Sequence, residues 1–448
     1  MKEMDCRTVS ETKGDICMQN RKTIACLLML SFMLMLVAAG CSSKPAATTA
    51  PASKVVKVAA EAWMIDKFHM KKAADAFKAK NPGIEVVIQP YADRQVLSNF
   101  ALQWSQNKSD VDIVIVDGAS TAAQFLAKDL IVDFNKTKFF NGPTSKESFV
   151  GKTLEFCAVD GVQFAIPIGL EAYDINANKK FFAEAGLLDA QGNIKAPKNW
   201  QEIYEYAKKM TKKEGDKVVR PGMTIQWGPN AYFVLIAVEQ AAKGSFYKAD
   251  GKTNTFDTPE MREILQIWKK GVEEGVFSID TFTNKDAGRN NFNAGQVPML
   301  LQSAAHVAEA APTVGKDNLT LIAIPGSEKN GTYGFAAGII IPKASKNQEL
   351  AVKFIQEALM SDVQAGVANQ WGKLPVIKSH FDKIDAGWKT HIFNLVKISP
   401  PAPFYKDLPK LMVESPKQLQ QYLLGQQSLN DFIANMEKLI GTLDKNAK

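Results

Sequence analysis

Val111-Asp112-Ile113-Val114-Ile115-Val116-Asp117-Gly118, read as VDIVIVDG over residues 111–118, puts β-branched side chains on both faces of a strand. A strand apolar on both faces is covered on both sides, which is the usual condition of a parallel sheet with helices packed against it. Upstream, Val55–Ala60 is a short apolar strand, and Asp66–Lys80 sets Phe68, Ala73, Ala74 and Phe77 near helical spacing. Asn81-Pro82-Gly83 stops that helix, and Ile84–Ile88 is the next strand. Strand, helix and strand at this spacing make a βαβ unit.

The alternation continues downstream. Asn199-Trp200-Gln201-Glu202 is a helix start with a capping residue three before a Glu, and Ile203, Ala207 and Met210 share one apolar face. Thr258-Pro259 opens another helix carrying Ile264, Leu265 and Trp268. Gly338–Ile341 is a strand ended by Pro342, and Leu350, Ala351, Phe354, Ile355 and Ala358 mark a helix. No 20–50-residue repeat recurs. The predicted class is α/β, and about 400 residues beyond the N-terminal segment are more than one core holds, so two domains are expected.

The N-terminus reads as an export signal. Ile24–Ala39 is apolar and uncharged, preceded by Arg21 and Lys22 and followed by small residues; Met18 fits as the start. Sixteen residues fall short of the ~20 that span a bilayer, and basic, apolar and small regions in that order make a secretory signal. Ala39-Gly40-Cys41 resembles the bacterial lipobox, although Ala38 stands where a Leu is usual. That resemblance implies lipidation of Cys41, and two acyl chains at ~0.8 kcal/mol per buried CH₂ would hold the chain on a membrane. Residues 41–53, rich in Ala, Thr, Ser and Pro, read as a tether. Beyond them Cys157 is the only cysteine, so no intramolecular disulfide is available and Cys157 is expected to be a small buried apolar group.

The formal charge is +7, and the lysines are spread through amphipathic segments with no basic stripe, so nucleic-acid binding has no support. No phosphate-cradling Gly-rich loop, Gly-x-Ser-x-Gly or His-Glu-x-x-His occurs. His69, His306, His380 and His391 are too scattered to suggest a metal centre. Neither an enzyme nor a cofactor is expected.

Instead, aromatic residues recur in loops beside polar groups. Trp63 follows the first strand and Asp117 the buried one. Glu171 and Tyr173 follow Ile166-Pro167-Ile168, Trp227 and Tyr232 flank Gly228-Pro229-Asn230, Trp371 precedes Gly372, and Phe404-Tyr405 follow a proline-rich bend. Flat rings against C–H faces, with carboxylates and amides for hydroxyls, suit a neutral sugar. Each ring taken singly would serve as well in a core. Trp200 and Trp268, inside amphipathic helices, are assigned there.

FAIPIGLEAYDINANKKFFAEAGL (164–187), APKNWQEI (196–203), FNAGQVPML (292–300), KNQELAVKFIQEAL (346–359) and VDIVIVDG resemble, in family order, segments of the bacterial extracellular solute-binding proteins of family 1. These are the capture subunits of ABC importers, of the maltose-binding-protein type. The resemblance implies a two-lobe periplasmic-binding-protein-like fold closing on ligand by a hinge motion. Lobe I is expected over 54–170 and 334–376, and lobe II over 171–333 and 377–448. Crossovers are expected near Gly169–Tyr173 and Tyr333–Gly338.

The implied partners are a carbohydrate and ABC permease subunits, with the chain monomeric and membrane-held through its N-terminal lipid. Glu171 falls where the family's maltose-binding member has a sugar-binding Glu. The expected ligand-binding set is Trp63, Asp117, Gly118, Glu171, Tyr173, Trp227, Tyr232, Gln302, Trp371 and Tyr405. Where the family often has Trp after the FNAGQVPML segment, this chain has Ala304-Ala305-His306. With only Arg94 and Arg289 near plausible cleft loops, a neutral ligand is favoured over an anion. The same fold serving another solute, or a surface sensor, are the alternative readings.

Overall fold

Nine strands make one mixed sheet that runs through the body of the protein. They are β1 (Lys54–Glu61), β2 (Ile84–Tyr91), β3 (Ile113–Val116), β4 (Ile166–Asn178), β5 (Met223–Ile225), β6 (Phe277–Ser278), β7 (Met299–Ser303), β8 (Leu319–Ile322) and β9 (Gly334–Ile340). The order is β6-β5-β7-β4-β9-β3-β1-β2, with β8 also paired to β4. This is a computed structural model, and it describes residues 54–92, 95–228, 230–245, 256–361, 363–384, 387–401, 405 and 408–442. The signal segment, Cys41, the tether, Arg94, Pro229 and Phe404 lie outside the described residues.

The expected βαβ unit is present: β1 pairs in parallel with both β2 and β3. The single helix expected over Asp66–Lys80 is two, Ala62–Lys67 and Met70–Lys80, because His69 between them takes a left-handed conformation at φ 49°. Both downstream helix starts are capped as their sequences imply. Asn199 Oδ1 accepts from the Glu202 N–H at 2.9 Å, and Thr258 Oγ1 accepts from the Met261 N–H at 3.2 Å. These caps satisfy N–H groups that the first helical turn leaves without partners.

β4 is the long element, thirteen residues and all of them buried. Its first half pairs with β9, and its second half with β7 on one side and β8 on the other. One hydrophobic cluster draws on residues 56–172 and 336–396, together with Ala304, a second on 173–333 and 405–440, and Phe292, Val297, Leu300, Val307, Ala310 and Leu319 form a third, smaller one. The change of core therefore falls between Ala172 and Tyr173 on β4. Ile377, Ile384, Ile392, Leu395 and Val396, expected in the second lobe, pack with the first cluster instead. Cys157 is fully buried there, and Trp200 and Trp268 sit edge to face in the second cluster with ring centroids 5.4 Å apart. Among the described residues, no helix is long and apolar enough to cross a membrane.

Candidate functional site

The C-terminal end of β3 and the middle of β4 meet one segment from far along the chain. After the helix Val363–Trp371, the backbone turns at Gly372 (φ 78°) and Leu374 pairs with Leu170 of β4 through two hydrogen bonds of 2.8 and 2.9 Å. That pairing fixes Lys373 beside Glu171. Gly169 makes the approach possible, since a Cβ there would lie 3.2 Å from Phe68 and 3.4 Å from the Lys373 stem.

Lys373 Nζ lies 3.1 Å from Asp117 Oδ1 and also contacts Glu171 Oε1. Ser303 Oγ, at the end of β7, donates to the other oxygen of Glu171. The result is a chain of polar groups, Ser303–Glu171–Lys373–Asp117. The Glu171 and Lys373 side chains are 3 % and 2 % exposed, whereas that of Asp117 is 41 % exposed. Burial pushes the Glu171 carboxyl up against the pull of Lys373. Burial also opposes the Lys373 ammonium, but Asp117 and Glu171 outweigh it and hold its pKa above the usual lysine value. Lys373 is thus a charged group, matched by two carboxylates.

Rings surround this chain. Lys373 Nζ is 4.2 Å from the Trp371 ring centroid and 5.2 Å from that of Phe335, a favourable placement for a cation. Trp371 meets Trp63 and Phe68 edge to face, at 5.2 and 5.1 Å, and Trp63 Nε1 donates to Glu61 at 2.7 Å. On the far side Phe233 stacks on Tyr333 at 5.1 Å, and Tyr333 on Phe335 at 4.9 Å. Tyr173 and Tyr232 pack against Phe233. The Tyr333 hydroxyl bonds to Ser120, and burial, then Asp117 and Glu171, push its pKa up. Trp63, Asp117, Phe233 and Phe335 keep partly exposed surface, so these four form the accessible lip of the site.

The expected residues thus separate into groups. Trp63, Asp117, Glu171 and Trp371 come together, with Tyr173 and Tyr232 joined to them through Phe233 and Phe335. Gly118, at φ 88°, turns the chain out of β3 and accepts from the Thr121 hydroxyl. Gln302 is 5 % exposed and sits one residue before Ser303.

Two of the expected residues stand apart from these groups, in the second core. Trp227 is fully buried in the second core, its indole N–H donating to the Ser278 carbonyl at 2.8 Å and its ring edge-on to Trp268. A Cβ on the following Gly228 would lie 2.3 Å from the Thr281 carbonyl, so this loop is pressed into the core. Tyr405 is 3 % exposed in the same core. Neither ring offers a face to a ligand.

Lys373, Ser303, Phe233, Tyr333 and Phe335 were missed. A lysine directly after Trp371-Gly372 and before Leu374-Pro375 was the available signal for the first, and the aromatic pair in Tyr333-Gly334-Phe335 for the last two.

Ala304-Ala305-His306, where the family often has Trp, packs against the turn at Gly372. The Ala305 carbonyl lies 2.7 Å from where a Gly372 Cβ would be. His306 Nδ1 is 2.9 Å from Glu309 Oε2, and Lys67 reaches the other Glu309 oxygen at 2.8 Å. Burial works against the charged Glu309, but His306 and Lys67 outweigh it and hold its carboxyl well below the usual range.

Two cavities lie elsewhere. One of about 560 Å³, lined by Leu126, Ile131, Lys343 and Gln348 among others, is at the opposite end of β3, since β9 runs antiparallel to β3 and leads into Lys343. Another of about 520 Å³ lies along the outer edge of β8 and reaches His391. Among the described residues, no group of three or more His, Cys, Asp or Glu is placed to hold a metal ion.

Comparison with known proteins places these features in a lineage. A binding protein of Brucella abortus (strain 2308) is 24% identical over 345 residues, 76% of this chain and 80% of that one. The diacetylchitobiose-binding protein DasA of Streptomyces coelicolor is 23% identical over 376 residues, 79% and 82% of the two chains. In fold, the chain is similar to the GacH receptor of Streptomyces glaucescens, solved unliganded and with acarbose, at a TM-score of 0.73 and 18% identity, covering 88% of this chain and all of that one. Maltose-bound MalE3 of T. maritima aligns at a TM-score of 0.71 and 19% identity, over 86% and 98% of the two chains. The sequence profile of the bacterial extracellular solute-binding proteins matches residues 67–365, two thirds of the chain, and the protein belongs to that family.

Proposed function

We propose that this protein is the lipid-anchored capture subunit of an ABC importer, closing two lobes on a neutral sugar or oligosaccharide and presenting the closed form to its permease. The observation that carries the reading is the chain Ser303–Glu171–Lys373–Asp117 beside partly exposed rings. Its cation is already matched by two carboxylates, so it leaves no spare positive charge for an anion. Arg289 is likewise engaged, with Asp286 at 2.8 Å. Asp117 offers an acceptor for hydroxyls, and Trp63, Phe233 and Phe335 offer faces for C–H groups. Fold relatives solved with acarbose, maltose and D-mannitol, and a sequence relative named for diacetylchitobiose, support a carbohydrate.

Lipid attachment at Cys41 and a tether over 41–53 would leave the body within reach of the membrane. The lobes would divide between Ala172 and Tyr173 and between Tyr333 and Ala336, with the second lobe resuming near Tyr405. A thermal-shift screen with maltose, acarbose, D-mannitol and diacetylchitobiose tests the reading. At least one should raise the unfolding midpoint, and Asp117→Ala should weaken its binding roughly tenfold or more, as loss of hydrogen bonds to a charged group implies. Stabilisation by a polyamine or an organic acid and by no sugar would overturn it.

A further inference from the structure

Two parts of the molecule meet at the helix His306–Val314, away from the Glu171–Lys373 chain. That helix follows β7 and is fixed to the second half of β4. Its Val307 and Ala310 pack with Leu300 and Leu319, which pair with Asn176 and Asn178 of β4. Two elements of the first core press on it. One is the turn after the helix Val363–Trp371, where a Cβ on Gly372 would lie 2.7 Å from the Ala305 carbonyl and 3.1 Å from Ala308 Cβ. The other is the helix Ala62–Lys67, whose Met64 and Ile65 belong to the first cluster and whose last residue reaches Glu309.

Glu309 is the centre of this junction. One of its oxygens accepts from Lys67 Nζ at 2.8 Å, and the other is 2.9 Å from His306 Nδ1. The imidazole must be the donor in that second contact, since a carboxylate has no proton to give. His306 and Glu309 stand three positions apart on one helix, so their contact is made within it and survives a separation of the lobes. Lys67 is 242 positions away and moves with the first core. Its contact lasts only while the two parts stay together. A fully exposed ion pair would matter little, because both charges are solvated when apart. Here the Glu309 side chain is 11 % exposed and aimed by His306, while that of Lys67 is 41 % exposed. A solvated cation thus meets a fixed, largely covered carboxylate.

We propose that Lys67, Glu309 and His306 form a latch between the lobes, with Lys67 as the part that lets go and His306 as the group that positions Glu309. Closing on a solute makes the Lys67–Glu309 contact, and opening must break it, so the latch slows release without touching the solute. A contact present in one conformation and absent in the other shifts their balance by its own free energy, whichever solute is held. The inference goes beyond the sugar-capture reading above and takes from it only the closure of two lobes.

Lys67→Met, Glu309→Gln and the double variant are compared with the wild type by stopped-flow release of whichever of maltose, acarbose, D-mannitol or diacetylchitobiose binds. Each single variant should release the sugar about threefold to tenfold faster with little change in association rate. The double variant should match the singles, since both remove one contact. Added salt should quicken release from the wild type but not from Lys67→Met, because counterions screen a half-exposed lysine. Lys343→Met, which takes another half-exposed lysine from its partner Asp129, is the control and should leave release unchanged. Unchanged release in Lys67→Met, or equal quickening in Lys343→Met, overturns the latch. A lowered urea midpoint without ligand and unchanged release would make the pair structural only, and overturns it too. If Glu309→Gln does not fold, Lys67→Met decides. If no sugar binds the wild type, the capture reading fails and the latch is judged by small-angle X-ray scattering of the unliganded proteins. A larger radius of gyration in Lys67→Met then supports it, and identical curves overturn it.

Discussion

Replacing Lys373 by Met should be among the most damaging single changes near the site. Met keeps most of the stem that packs on Trp371 and Phe335 but removes the ammonium that sits 4.2 Å from the Trp371 ring. Glu171, whose side chain is 3 % exposed, would keep Ser303 and lose its cation. Removing one partner of a buried ion pair costs about 3–5 kcal/mol, because a charge stays behind without compensation. Asp117 adds little, about 0–1 kcal/mol, since its half-exposed carboxylate is solvated.

The loss should depend on pH. Without Lys373, burial and the Asp117 charge outweigh the Ser303 hydrogen bond and hold the Glu171 pKa in the folded state above that of the unfolded chain. A group so shifted favours folding below its unfolded pKa and loses that contribution as pH rises through the folded value. Urea unfolding should therefore show the full penalty near pH 7 and a much smaller one near pH 4, relative to wild type at the same pH. Adding Glu171→Gln should recover at least ~1.5 kcal/mol of the loss at pH 7, as expected for directly coupled groups. A Lys373→Met protein that loses under ~1 kcal/mol at pH 7, or the same amount at both pH values, would refute the charged-chain account.

Trp371→Ala should cost about 3–5 kcal/mol in unfolding experiments without ligand, because the ring is 6 % exposed and packed on Trp63 and Phe68. Wild-type stability with weakened sugar binding would make it a stacking platform instead. His391 lies 2.5 Å from Asp174, and although burial opposes its charged form, the Asp174 contact wins and its pKa is raised. Its contribution to stability is therefore full below the ordinary histidine value of ~6.5 and lost as pH rises through the higher folded value. His391→Gln should abolish that fall, and a flat difference between the two proteins across this range would exclude a paired imidazolium. Cys41→Ala should move the protein from the membrane fraction to the soluble fraction of the medium or periplasm. Retention on the membrane would mean another anchor.

Local chemistry was legible in the residues themselves. The two β-branched faces of Val111–Val116, the Asn199 and Thr258 caps and the stop at Asn81-Pro82-Gly83 all act within a few positions, and the structure has them where the pattern places them. Which aromatic rings keep exposed surface was not legible. Trp63 and Trp227 both come just after a strand in the sequence, yet Trp63 keeps exposed surface and Trp227 is sealed against Trp268 and Ser278, groups 41 and 51 positions away.

The centre of the site lay further beyond local reading. Lys373 meets Asp117 across 256 positions, because β4 must first be laid between β9 and β7 and then paired to Leu374. A sequence shows one lysine among many, and only the closed backbone decides that this one is desolvated between two carboxylates. The same holds for Thr224, Gln226, Asn176 and Gln302, ordinary polar residues in the chain. Strand register alone puts them on one buried face, where Thr224 Oγ1, the Gln226 amide, Asn176 Oδ1 and Gln302 Oε1 have no partner among the described residues, since hydrogen-bond satisfaction is a property of three-dimensional neighbours and not of residue type.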